Sequence, residues 1–167
     1  MKKRNDKGFT LVELIVVLVI LAILAAILVP ALLGYIDKAR EKQLTTNAEA
    51  AYVAAQALAT EAYGKGIKGT DSIHDYVVGS DEKAVKIKNL TDITEEFTVS
   101  VSFGGDTKAE VSNKTDRQKY IIKQFTYIPA DSDKVAVWYQ SAASNTDGES
   151  VEAGGWWVGA SANMPTN

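Results

Sequence analysis

The 167-residue chain contains no cysteine, which removes disulfide scaffolds, thiol catalysis, cysteine-based zinc sites and iron–sulfur clusters together. Basic charge is not in surplus either: 18 Lys and Arg stand against 21 Asp and Glu, a net charge of −3. That balance argues against nucleic acid as the main partner, because neutralising phosphates calls for a basic surface. His74 is the only histidine, and no His/carboxylate metalloenzyme motif surrounds it. No glycine loop of the P-loop or dinucleotide type occurs, and nothing in the chain calls for a cofactor. The length suits one domain, and 46% hydrophobic with 23% charged residues is an ordinary globular composition. The average hides a division. Residues 14–36 run for 23 positions without a charge, whereas the remainder is polar and rich in Thr, Ser, Asp and Lys.

The apolar run follows Met-Lys-Lys-Arg-Asn-Asp-Lys-Gly, whose four basic residues and one acid give +3 on the side chains. A positive flank stays cytoplasmic, so the bulk of the chain is expected on the outer side of the membrane. At ~1.5 Å per residue the uncharged run spans roughly 35 Å as a helix, enough for a hydrocarbon core of about 30 Å. A removable signal peptide has a shorter apolar core and an A-x-A-like site. Here Ala22, Ala25, Ala26 and Ala31 include no pair in that spacing. Glu13 is the unusual residue. A carboxylate at the centre of a membrane helix costs about 2.5–3.5 kcal/mol, and such groups have partners.

The string Gly8-Phe9-Thr10-Leu11-Val12-Glu13-Leu14 resembles the N-terminus of type IV pilins and their relatives, the pseudopilins of type II secretion and the pilin-like proteins of competence systems. The resemblance implies that a prepilin peptidase cuts between Gly8 and Phe9, that the new Phe9 amine is N-methylated, and that the apolar helix stays on the protein. It also implies that Glu13 aligns subunits by meeting the N-terminal amine of a neighbour, in keeping with the need of a buried carboxylate for an opposite charge. Losing the leader, residues 1–8, leaves 159 residues with 14 basic and 20 acidic side chains, a charge of −6. Removing the basic leader also removes a topogenic lock, so cleavage is expected to license extraction from the bilayer as well as to mark maturation. Pro30 lies 17 residues beyond Glu13 and Gly34 four further on; proline in a helix interior deletes a hydrogen bond and crowds the preceding turn. The helix is therefore expected to bend or melt between about Val29 and Gly34 in an assembled state, as in many type IV pilins.

From Tyr35 to about Tyr63 the pattern stays helical but becomes amphipathic. Leu44, Ala48, Ala51, Tyr52, Ala55, Leu58, Ala59 and Ala62 recur at three- and four-residue steps, one stripe of a helix rich in alanine. Lys38, Arg40, Glu41, Lys42, Asn47, Glu49 and Gln56 lie mostly off that stripe and are expected to meet solvent or a neighbour. The stop is Gly64-Lys65-Gly66-Ile67-Lys68-Gly69, where three glycines make continuation costly. Beyond it, Phe97, Val99, Val101 and Phe103 alternate with polar or small residues, the cleanest period-two signal in the chain. Further strands are expected at residues 84–88, 108–112, 120–128, 134–140 and 156–160, with a turn or short helical piece at 91–96 and hairpin turns at 104–106 and 129–133. Helix first and short strands after it give an α+β class: a long N-terminal helix packed through its second half on a C-terminal antiparallel sheet. The expected domains are the leader 1–8, a membrane and filament-core half 9–36, and a globular part 37–167.

Other chemistry is weaker. Asp71, Ser72, His74 and Asp75 are adjacent letters, and a nucleophilic triad needs tertiary geometry that adjacency does not supply. Asp131, Asp133, Asp147, Glu149 and Glu152 offer oxygen ligands, and the resemblance adds that some pseudopilins hold calcium in a C-terminal loop; no EF-hand spacing is present, and the acids read as solvated loops. Trp138, Trp156 and Trp157 read as core rather than as an adhesive surface, because adjacent Trp156 and Trp157 on a strand point to opposite faces. Asn89 and Asn113 head N-x-[ST] sequons of little weight in a bacterial export context. The chain is accordingly read as a structural protein and not an enzyme: a prepilin, major pilin first, with a minor pilin or a pseudopilin of a secretion or competence system as the alternative and a membrane-anchored extracellular binding domain as the rival of another class. Its expected partners are its own copies, the prepilin peptidase, an assembly ATPase with a platform protein, and the cytoplasmic membrane before assembly. A cysteine-free C-terminal loop mildly favours a Gram-positive system.

Overall fold

A computed structural model describes residues 8–79, 84–104, 116–145 and 147–166. One helix, α1 (Leu11–Gly64), opens the chain and runs for 54 residues. The protein divides into two compact units, one ending at Arg40 and the other beginning at Glu41. In the first unit every side chain from residue 8 to residue 40 is exposed. In the second, α1 buries Leu44, Ala48, Ala51, Ala54, Ala55, Leu58, Ala59 and Ala62, while Tyr52 is half-buried at the edge of the stripe. Alanine at six of these eight buried positions leaves mostly methyl groups on the packing face, so the helix carries that face with little loss of side-chain entropy.

The end of α1 is a Schellman motif. Gly66 takes φ 69°, its N–H donates to the Tyr63 carbonyl at 3.0 Å, and Ile67 N–H reaches the Ala62 carbonyl at 3.1 Å. Glycine is the residue that adopts this left-handed turn without a Cβ penalty. Two short helices follow, α2 (Thr70–Val77) and α3 (Val85–Asn89). Ile73 and Val77, four residues apart on α2, are both buried.

The expected strand at residues 84–88 is instead α3. Val85-Lys86-Ile87-Lys88 alternates apolar and charged, and a strand would put Val85 and Ile87 on one face. In the helix they part: Ile87 is buried while Val85 is 54% exposed, and the Leu90 and Thr91 amides close turns onto the Ile87 and Lys88 carbonyls at 3.0 and 3.2 Å. The expected strand at 108–112 and most of the 104–106 turn lie outside the described residues.

The sheet comprises β1 (Phe97–Phe103), β2 (Ile122–Pro129), β3 (Lys134–Tyr139) and β6 (Gly155–Ala160), in the order β1-β2-β3-β6 and antiparallel throughout. A separate ribbon pairs β4 (Ala143–Ser144) with β5 (Ser150–Val151). Alternation gives the sheet two apolar faces. Phe97, Val99, Val101, Phe103, Phe125, Tyr127 and Ala136 meet the alanine stripe of α1. On the other side Val135, Val137, Tyr139 and Trp157 form a second cluster with Ala143 and Val151, against which Met164 packs. Trp156 packs on the first cluster and Trp157 lies in the second, the division that adjacent strand positions require.

Polar side chains flank the stripe and fasten it. Asn47, expected on the solvent side, donates through Nδ2 to Glu95 Oε1 at 2.7 Å, and the same oxygen accepts the buried Tyr127 hydroxyl at 2.7 Å. Gln56, from the same expectation, donates through Nε2 to the Tyr120 carbonyl at 3.0 Å and accepts the Ile122 N–H at 3.2 Å, which saturates the backbone where β2 begins. Glu41 accepts from Lys134 at the start of β3 at 2.5 Å. Residues at the border of an amphipathic stripe can reach either way, and here Gln56 and Glu41 reach the sheet directly while Asn47 is joined to it through Glu95.

Candidate functional site

Gly8, Phe9 and Thr10 precede α1 in no regular element. The helix starts at Leu11 because Thr10 and Glu13 close a reciprocal capping box. The Glu13 N–H donates to Thr10 Oγ1 at 3.3 Å, and Glu13 Oε2 accepts the Thr10 N–H at 2.8 Å and the Thr10 hydroxyl at 2.7 Å. Two donors that a helix start leaves orphaned are thereby satisfied by the side chains of the first turn. The box also keeps one carboxylate oxygen of Glu13 fully engaged inside its own chain. Sequence reading took Glu13 for its charge alone and passed over Thr10, although T-x-x-E before an apolar run is the signature of this cap.

The Gly8–Phe9 bond lies two residues outside the helix, in backbone that makes no helical hydrogen bonds. Phe9 is 80% exposed. A Cβ built on Gly8 would meet no atom within 4 Å, so the fold of this chain does not itself demand glycine there. Pro30 and Gly34 both lie within α1, which is helical through both in the single chain. At Gly34 as well, an added Cβ would meet nothing within 4 Å.

Between Glu13 and Asp37 the side chains of α1 are apolar on every side apart from the Tyr35 hydroxyl. An 18-residue window of the helix reaches a mean hydropathy of 3.3 and none of it is buried. A soluble domain does not leave so large an apolar surface in water, and a helix apolar all round belongs in lipid or in the core of a larger assembly. By length and composition this helix can cross a membrane.

The remaining candidates are not brought together. On α2, Ser72 and Asp75 are two residues and one residue from His74, spacings that place side chains on different faces of a helix. Among the described residues no three His, Asp or Glu side chains cluster as a metal site. Of the five acids considered for calcium, Glu149 is already engaged, accepting Trp157 Nε1–H at 2.8 Å and Asn145 Nδ2 at 3.1 Å. Trp138 and Trp156 pack with Tyr52, their ring centroids 4.5 and 6.1 Å from its own. Asn89 ends α3 and is exposed, whereas Asn113 lies outside the described residues.

Comparison with known proteins places a class on this segment. The prokaryotic N-terminal methylation motif, the leader signature of type IV prepilins, matches residues 3–29. No significant match is found among curated proteins or solved structures. The match covers the Gly8–Phe9 bond and most of the apolar run, and it supports a type IV pilin-like protein that is processed by a prepilin peptidase. Such a motif points to a structural protein rather than an enzyme. Together with the single long apolar helix it fits a protein anchored in the membrane and later assembled into a surface pilus.

Proposed function

We propose that this chain is the major pilin of a type IV pilus. The observation that carries the reading is the conjunction of the methylation motif at residues 3–29 with a helix whose apolar surface is wholly exposed from Leu11 to Gly34. On this reading residues 1–8 are the leader, 9–36 the membrane-stored and filament-core half of α1, and 37–167 the globular part. The peptidase cuts between Gly8 and Phe9, and the Phe9 amine is methylated.

The mechanism is transfer from lipid to protein. Hydrocarbon and a bundle of identical helices both accept a helix that is apolar on all sides, so the run from Phe9 to Gly34 suits both surroundings. Glu13 guides the transfer. Its Oε2 is held by Thr10, and its second oxygen has no bonded donor among the described residues, leaving an acceptor for the amine of an arriving subunit. An ATPase and a platform protein supplied by other genes drive extraction. Pro30 and Gly34 give the packed helix a place to loosen.

The test is mass spectrometry of material sheared from the cell surface, together with a strain whose sole pilin carries Glu13→Ala. The expected result is abundant chain beginning at methylated Phe9, and in the variant normal insertion and cleavage with sharply reduced filament. Full filament yield from Glu13→Ala would overturn the role given to that carboxylate. Short or scarce polymer made of other chains would make this a minor pilin or pseudopilin. Chain retaining residues 1–8 and confined to the membrane would make it an anchored ectodomain.

A further inference from the structure

The four-stranded sheet has two open edges, and they are built alike. β1 and β6 are its outer strands, and among the described residues no strand pairs with the far side of either. Neither contains a charged residue or a proline, whereas the inner strands β2 and β3 carry Lys123, Pro129 and Lys134. Edge strands are ordinarily guarded by lysine, proline, a bulge or a covering segment, because a bare edge is a template for pairing with another chain. Here the charges and the proline sit inside the sheet, and a register shift between Ser102 and Phe103 ends the regular part of β1.

The phase of the ladder decides which backbone groups face outward. The Ala130 N–H donates to the Glu96 carbonyl at 2.9 Å, so Thr98 and Ser100 share bonds with β2 while Phe97, Val99 and Val101 turn their backbone groups away from it. The Gln140 N–H donates to the Lys123 carbonyl at 2.8 Å, which by the same alternation turns Val135 and Val137 toward β6 and leaves the groups of Trp156, Val158 and Ala160 facing away from β3. At both edges these outward groups belong to the face that meets α1. Phe97, Val99 and Val101 are buried in the cluster beneath the helix, and Trp156 and Val158 pack on that cluster while only half-buried. The β6 edge therefore shows unpaired backbone and uncovered apolar side chains together.

We propose that β6 of one copy of this chain pairs with β1 of the next, in a register that sets Trp156, Val158 and Ala160 opposite Val101, Val99 and Phe97. Antiparallel order over an even number of strands makes β1 and β6 run in opposite directions. Copies of one polarity therefore meet β6 to β1 antiparallel with their faces matched, whereas β6 to β6 requires one copy to be inverted. Copies anchored through α1 in one membrane, or packed in one filament, share a polarity. Each of the three facing pairs exchanges both N–H···O bonds, and the half-buried Trp156 and Val158 come beside the apolar face of the neighbouring β1. Gly159 then lies opposite Thr98, and Trp157 opposite Ser100. Because the contact joins two different edges it does not close on itself, and it repeats from copy to copy as an open array. The inference rests on α1 being an anchor that gives copies one polarity, and not on the choice between a major pilin and its alternatives.

The test is solid-state NMR of the full chain packed densely in lipid vesicles, one population of copies labelled with heavy nitrogen and the other with heavy carbon. Transfer from nitrogen to carbon then reports contacts between copies alone. The expected transfers run from the amides of Trp156, Val158 and Ala160 to the backbone carbons of Val101, Val99 and Phe97. Ala160 is exposed, with φ −66° and ψ 138°, a conformation that proline adopts, and its N–H faces away from β3. Ala160→Pro therefore keeps the fold and removes one outward donor, and it should weaken the transfers about fivefold, the equivalent of one net hydrogen bond. Transfers from β6 to β6, or none between copies in vesicles that hold the inserted chain, would overturn the proposal. So would transfers that Ala160→Pro leaves undiminished. Flotation with the vesicles reads insertion by itself, so a failure of the anchor is told apart from an unpaired edge. The parent's spectrum decides the matter if the variant does not fold.

Discussion

Tyr127→Phe deletes one oxygen from the best-anchored point between α1 and the sheet. Tyr127 is fully buried on β2, and its hydroxyl shares Glu95 Oε1 with Asn47 of α1, each at 2.7 Å. Hydrogen bonds to a charged acceptor contribute about 1.5–3 kcal/mol, and Glu95 is half-buried. Asn47 remains in the variant, so the expected loss is about 2 kcal/mol near neutral pH. The pH dependence supplies a sharper signature. Burial raises the Tyr127 pKa above the ordinary value, and the hydrogen bond to the Glu95 carboxylate raises it further. Above about pH 10 the unfolded tyrosine loses its proton while the folded one keeps it. The folded state then binds more protons, so the stability that Tyr127 contributes is complete below pH 10 and falls as pH rises toward its folded pKa. Phenylalanine has no such proton, and the gap between parent and variant should narrow by about 1 kcal/mol between pH 10 and pH 11. Urea unfolding of the full chain in detergent, followed by tryptophan emission, measures both quantities, because Trp138, Trp156 and Trp157 all lie in the unit that begins at Glu41. A neutral-pH loss under about 0.5 kcal/mol, or a gap constant from pH 7 to pH 11, would refute the assignment of Tyr127 and Glu95 as an anchoring pair.

Two further substitutions test the packing and the surface. A Cβ on Gly159 would lie 2.4 Å from Cζ2 and 2.7 Å from Cη2 of Trp157, so Gly159→Ala should displace that ring, cost about 1–3 kcal/mol and change tryptophan emission in the folded state; an unchanged spectrum and midpoint would show that the ring is not confined there. Lys134→Ala removes an ion pair of 2.5 Å to Glu41 whose side chains are 48% and 46% exposed, and solvent screening should hold the loss below about 0.5 kcal/mol at physiological salt; a salt-insensitive loss above about 1 kcal/mol would mean that the pair does more than its exposure allows.

What the sequence made legible is what local pattern encodes. The charge-free run from Leu14 to Ile36, the alanine stripe from Leu44 to Ala62 and the alternation of Phe97 to Phe103 each state a period and a polarity, and each became the expected element. The opposed burial of Trp156 and Trp157 followed from strand geometry alone. Val85-Lys86-Ile87-Lys88 misled because four letters satisfy period two by chance, while the turn-forming Asn89-Leu90-Thr91-Asp92 beyond them favours a helical turn that needs only Ile87 to face the core. Asn47 and Gln56 misled for another reason: polarity predicts solvent, but Glu95 is 48 residues from Asn47 and Ile122 is 66 from Gln56, and no local pattern announces so distant an acceptor or donor. At the start of the apolar helix Gly8, Phe9 and Glu13 were legible as a string, whereas the role of Thr10 needed the cap to be seen.

The capping box also bears on how a carboxylate enters a membrane before it has a partner. A carboxylate with no donor of its own resists entry into lipid, by about 2.5–3.5 kcal/mol at the centre of a membrane helix and by less near its end, where Glu13 lies in the first turn. Thr10 supplies two donors to Oε2 from within the same turn, its N–H and its hydroxyl, and the first is a backbone group that the helix start would otherwise leave unsatisfied. In a chain held in lipid, as proposed, each of the two groups therefore lowers the cost of burying the other. In a polymer of the proposed kind the amine of a neighbour adds to this arrangement at the second oxygen, so joining a filament need not first break the bonds that made storage possible. The rest of the run from Phe9 to Gly34 distinguishes poorly between lipid and a bundle of like helices, since hydrocarbon surrounds it in both. Discrimination between the two states is then concentrated in the first turn of the helix, where a single added ion pair in a low-dielectric setting is worth most.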